Sequence, residues 1–130
     1  MDISRQYILM CEKAIEIQSI RKYEDGSLEA ESNTKKPYVG FICTHCDDEH
    51  GVDSAYLDGN IWLPRQDQLQ DMVYKNQTIE ELIADFNRWF GIFIDSIPLW
   101  FDNYTTLEQL WLAYVMQKKF SKQWDGEDWI

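Results

Sequence analysis

An α+β fold, with a small antiparallel sheet packed against about four helices, follows from three observations on this chain. Apolar residues recur at helical spacing near both ends. Between Tyr38 and Leu63 the runs are β-branched and aromatic and are punctuated by glycine. The whole is 130 residues long, 45% hydrophobic and 15% aromatic, enough for one core without disulfide or metal support. The expectation is a single domain over 1–130.

Ile3, Tyr7, Met10, Ala14 and Ile17 predict an amphipathic helix over 3–23, with Cys11 at the edge of the stripe as a small core residue. Glu24-Asp25-Gly26-Ser27 ends it, and 24–37 reads as a polar, mobile connection. YVGFICT, VDSAYL and NIWL then predict the strands of the sheet. Pro64 opens a second helix with Leu69, Met72 and Val73 inward and Asp71 four residues before Lys75.

Thr78-Ile79-Glu80-Glu81 is a capping box. It starts a third helix with Ile79, Leu82, Ile83, Phe86, Trp89 and Phe90 on one face, and Gly91 is its predicted stop. GIFIDSIPLWF reads as one strand bending at Pro98. Thr105 to Glu108 is a second capping box, opening a helix to about Phe120. Leu107, Leu110, Trp111, Tyr114 and Val115 line one side of it and Leu112, Met116 and Phe120 another, so both sides must be covered. Either this helix is central or one side of it is an interface. Asp125-Gly126 between Trp124 and Trp129 is a tight-turn signal.

Twelve basic against twenty-three acidic side chains give a net charge of -11. Such a surface repels phosphate backbones and argues against DNA or RNA binding by counterion release. The stretch 38–64 concentrates the bias, with Asp47, Asp48, Glu49, Asp53 and Asp58 and no lysine or arginine. The charged N-terminal stretch does not read as a secretory signal. The longest apolar run, Trp89 to Phe101, is interrupted by Asp95 and is too short for a bilayer. Three cysteines, an odd number, argue against a disulfide framework. A soluble cytoplasmic protein is expected.

Three segments, MCEKAIEIQ at 10–18, IWLPRQDQLQDMV at 61–73 and LEQLWLAYVMQKKFSKQWDGEDWI at 107–130, together resemble a family of small phage and prophage proteins of bacteria. The resemblance implies a phage-encoded accessory protein of the host cytoplasm. It supplies no catalytic residue. The acidic Cys/His segment and the stretch from Asn76 to Tyr104 lie outside it.

One cluster carries metal-ligand chemistry. Cys43 and Cys46, two residues apart, form half of a zinc knuckle, because that spacing lets both sulfurs face one tetrahedral ion. His50 is the third candidate ligand, and a fourth would come from Cys11, His45 or a carboxylate. No second knuckle pairs with it, so the cofactor expectation is none, with zinc as the alternative. A Cys–His nucleophile from the same atoms is disfavoured, because His45 sits between the two thiols where a rigid base geometry is hard to build. The carboxylates are too numerous for one buried acid beside one exposed one to stand out. No phosphate-binding glycine loop or metalloprotease motif is present. Most of the six tryptophans read as core. Trp100, Trp124 and Trp129 stand in loop or terminal contexts where full burial is harder, and aromatic residues ringed by acid suit a protein-binding surface.

A non-enzymatic protein binding a host protein, such as a defence or nucleic-acid enzyme, is the leading expectation. Its contact residues would be Asp47, Asp48, Glu49, Asp53, Asp58, Trp124 and Trp129. The alternatives are a protein sequestering a small molecule or nucleotide in an aromatic pocket, and a small zinc-binding structural module. An anionic ligand would require Arg65, Arg88, Lys118 and Lys119 to converge on one cleft. An enzyme ranks last. The oligomeric state is left open.

Overall fold

The computed structural model describes residues 1–21, 27–39, 41–42, 49–50, 60–96 and 106–130, with backbone alone at 41–42, 49–50 and 93–96. Among them are five helices and five short strands, an α+β fold with a three-stranded antiparallel sheet. The chain forms two compact units, Met1–Arg65 and Gln66–Ile130. No helix among the described residues is long and apolar enough to cross a membrane.

In the first unit, helix α1 spans Arg5–Lys13 and α2 spans Ile15–Ser19. Ser4 caps α1, its hydroxyl accepting from the Tyr7 N–H, while Asp2 accepts from the Ser4 N–H. The continuous helix expected over 3–23 is thus shorter and broken. At Ala14 (φ -81, ψ 67) the backbone leaves the helix, and the Ala14 N–H bonds the carbonyls of both Met10 and Cys11. Gln18 also donates to the Cys11 carbonyl at 3.0 Å. Tyr7, Met10, Ala14 and Ile17 are buried as the periodicity predicts, whereas Ile3 is exposed.

Strand β1 (Leu28–Ala30) is the centre of the sheet, between β2 (Pro37–Val39) and β5 (Ile61–Trp62), in the order β2-β1-β5. The register sets Glu29 opposite Tyr38 on one side and Trp62 on the other. Part of the polar connection expected over 24–37 is thus a strand. Residues 22–26 lie outside the described residues, but Leu28, Glu29 and Ala30 are all buried. Glu29 is masked in the sequence by its charge. It is tolerated inside because Arg21, itself nearly buried, donates to its carboxylate and to the carbonyl of Asn60. The β1–β2 turn closes through Lys35 in the left-handed region (φ 59), whose ammonium ties Glu12 to the Ser32 carbonyl. Pro37 sits on an edge strand, where its missing donor costs no ladder bond. A separate antiparallel pair joins β3 (Phe41–Ile42) to β4 (Glu49–His50). The expected strand VDSAYL lies outside the described residues.

In the second unit, α3 spans Gln66–Val73, two residues later than Pro64, and buries Leu69. Asn76 in the left-handed region (φ 52) turns the chain toward Thr78, whose hydroxyl accepts from the Glu81 N–H and caps α4, Ile79–Ser96. Gly91 does not stop this helix, and the strand expected from 91 is helical to Ser96. Residues 97–101 lie outside the described residues. A glycine inside a helix costs only about 1 kcal/mol relative to alanine, which does not by itself end one.

Helix α5 spans Leu107–Phe120. Thr106, one residue later than expected, is its cap, accepting from the Gln109 N–H at 3.3 Å. Residues 111–116 are buried without interruption, so this two-sided helix is covered on both sides. Leu107, expected inward, is exposed. Within the unit α3 packs along α5, and Phe86 of α4 stacks on Trp111 with ring centroids 4.1 Å apart. Ser121 in the left-handed region ends α5, followed by a bond from the Lys122 N–H back to the Met116 carbonyl. The chain closes in the expected hairpin, where Trp124 bridges Trp129 and Gly126 takes φ 108.

Candidate functional site

Four positions on α4 (Asp85, Arg88, Trp89 and Ile92) fall at i, i+3, i+4 and i+7 and form one stripe. The last turns of α5 set Tyr114, Gln117 and Lys118 on a matching stripe, with Lys119 beside it. Between them lies a solvent-open cleft of about 440 Å³, lined by Asp85, Arg88, Trp89, Ile92, Gln117, Lys118 and Gln123. Asp85 and Lys118 also line a second cleft of about 270 Å³, whose other walls include Lys75, Gln77, Tyr114 and Lys119. The two clefts therefore adjoin.

The electrostatics of this face oppose those of the chain. Lys75, Arg88, Lys118 and Lys119 line the pair of clefts against one carboxylate, Asp85. The C-terminal ends of α5 and of α3, whose Val73 lines the second cleft, each add about half a negative charge. A surplus of roughly two positive charges remains among the lining groups. Asp85 pairs with Arg88 at 3.3 Å on an exposed flank, so that pair is worth little to stability and can open. The Lys118 ammonium lies 5.7 Å from the Tyr114 ring centroid, a cation–π distance. Burial, and secondarily the charge of Asp85, push the Tyr114 phenol above its ordinary value, so it stays neutral.

The aromatic wall is backed by other rings. Trp89 is half-buried and meets Tyr114 at 5.2 Å and Phe86 at 5.6 Å between ring centroids. The Gln117 side-chain oxygen, Oε1, is buried and makes no hydrogen bond among the described residues, so it does not open onto the cleft.

Of the residues expected to form a site, Cys43, Cys46, Asp47, Asp48, Asp53 and Asp58 lie outside the described residues. Glu49 and His50 are placed in β4 by their backbone alone. No group of three or more potential metal ligands occurs among the described residues. Cys11 is wholly buried in the first unit, and burial pushes its thiol up. Trp124 and Trp129 are buried too, packing on each other at 5.1 Å, which corrects their expected role as surface contacts. The hairpin bonds between Gln123 and Ile130 hold both indoles inward.

Of the four cations that an anionic ligand would require on one cleft, Arg88 and Lys118 line the larger cleft, Lys118 and Lys119 the smaller, and Arg65 belongs to the other unit, so the four do not converge on one cleft. Lys75, Gln117 and Gln123 were not legible as site residues, because nothing in their sequence neighbourhood marks them. The spacing of Arg88, Trp89 and Ile92 was the available signal, obscured by ending the helix at Gly91. No family model, curated protein or solved structure matches this chain.

Proposed function

We propose that this chain is a non-enzymatic binding protein that holds a small anionic ligand in the paired clefts of its second unit. The observation that supports it is the gathering of Lys75, Arg88, Lys118 and Lys119 around a half-buried tryptophan, in a chain whose net charge is -11. The described lining consists of cations, amides, aliphatics and aromatics around one carboxylate, a set suited to holding a ligand and not to a nucleophile–base pair.

Thermal unfolding with and without inorganic tripolyphosphate tests this reading. Ligand at a hundred times its dissociation constant adds about 2.7 kcal/mol and a measurable rise in melting temperature. The rise should shrink as salt increases and vanish in a Lys75→Gln, Lys118→Gln, Lys119→Gln variant. A flat response in the unaltered protein sinks it.

A second reading rests on the acidic stretch 38–64, which has no lysine or arginine and would engage a basic surface on a host protein of a phage-infected cell. Zinc at Cys43, Cys46 and His50 would order the same stretch. Charge reversal at Asp47, Asp48 and Glu49 should abolish salt-sensitive capture of a stoichiometric partner while leaving the melting temperature in place. Capture that persists unchanged removes this second reading.

A further inference from the structure

The two clefts adjoin along Asp85 and Lys118, and they differ in chemistry. The larger has Trp89 and Ile92, three residues apart on α4, side by side on its wall. The smaller carries Lys75, Lys118 and Lys119. We infer that the ligand is an amphipathic anion, with a compact head of one or two negative charges held by the lysines and an apolar body lying over Trp89 and Ile92. This rests on the anion-binding reading above and deepens it, in giving the charge of the ligand, its second half and its orientation.

Charge sets the size of the head. Asp85 is paired with Arg88 at 3.3 Å, which leaves the three lysines of the smaller cleft facing the half charges at the C-terminal ends of α3 and α5. The balance is roughly two positive charges. One phosphate or carboxylate group meets that balance, whereas a nucleic acid would bring a long polyanion against a surface of charge -11.

The apolar body answers a different feature. Ile92 is 68% exposed and stands beside a half-buried indole. Single exposed apolar side chains are ordinary on a protein surface. Here two of them share a concave wall that runs into the lysines, so one molecule can cover the wall and meet the charge together. A bare phosphate would leave that wall in water, and an uncharged apolar molecule would leave the lysines unmet.

NMR titration of the backbone and indole N–H signals with inorganic phosphate, phenyl phosphate, hexyl phosphate and phenol tests the assignment. At least one of the two esters should bind about tenfold tighter than inorganic phosphate, the gain from covering part of a ring or chain. The tighter ester tells a flat body from a flexible one. Phenol, which lacks the head, should bind more weakly than phenyl phosphate. Ile92→Ser, at an exposed position, should bring the esters back toward inorganic phosphate and leave phosphate itself unchanged. Lys118→Gln with Lys119→Gln should weaken phosphate and esters alike. If neither ester exceeds phosphate, if phenol matches phenyl phosphate, or if Ile92→Ser keeps the advantage of the esters, the inference fails while the anion reading stands on its tripolyphosphate response. If tripolyphosphate, phosphate and both esters all leave the signals unmoved, both fail.

Discussion

The side-chain amide of Gln18 pairs with the backbone of Trp62 as a strand would. Its oxygen accepts from the Trp62 N–H at 2.8 Å and its nitrogen donates to the Trp62 carbonyl at 2.9 Å. Strand β5 is at the edge of the sheet, so this one side chain closes part of an edge that would otherwise be open to another strand. The same nitrogen holds the Cys11 carbonyl beside the break at Ala14. One residue thereby joins the helix break to the sheet.

Gln18→Ala should therefore cost about 1–3 kcal/mol, the range for leaving partly buried backbone groups without partners. Gln18→Glu, which keeps an acceptor but loses the donor, should be destabilised as well. Urea unfolding measures both, and a Gln18→Ala variant as stable as the parent would remove the edge-closing role.

Gly91→Ala should stabilise the protein by about 0.5–1 kcal/mol, because alanine loses less backbone freedom in a helix. A Cβ at Gly91 meets nothing within 4 Å, and α4 continues past it to Ser96. A glycine that stopped a helix in the left-handed region would respond in the opposite direction. The sign of the change in melting temperature decides between them.

Trp111→Ala should destabilise by about 3–5 kcal/mol, the range for deleting a large buried aromatic. Trp111 is buried, stacked on Phe86 and edge-on to Tyr114 at 5.6 Å. Denaturant unfolding reads this directly; a loss below about 1 kcal/mol would place the ring outside the core.

Acid should loosen the C-terminal hairpin before the core. The N–H groups of Asp128 and Glu127 hold the Asp125 carboxyl below its ordinary value, each bonded to its Oδ1 at 2.8 Å. The folded state favours the ionised form, so the contribution is present above about pH 4 and is lost as pH falls through the lower folded value. Indole NMR shifts of Trp124 and Trp129 should follow that titration. Asp125→Asn, which keeps an acceptor without a charge, should flatten it.

What the sequence determined by itself was local and repetitive. Hydroxyl caps at Thr78 and near Thr106, the left-handed turn chemistry of Asp125-Gly126 and the unbroken apolar surface of α5 are written in neighbours three or four residues apart. That is the distance over which helix and turn hydrogen bonds act. The tertiary structure decided the rest. β1 is a strand because Tyr38 and Trp62 pair with Glu29 from either side and Arg21 meets its charge, and none of those partners is local. Helix α1 ends at Ala14 beside the Cys11 carbonyl that Gln18 takes, and Gln18 is positioned by β5. The cationic clefts arise only when α3, α4 and α5 bring Lys75, Arg88 and Lys118 together. Isolated lysines and arginines carry no periodic signal, and their meaning is set by what packs beside them.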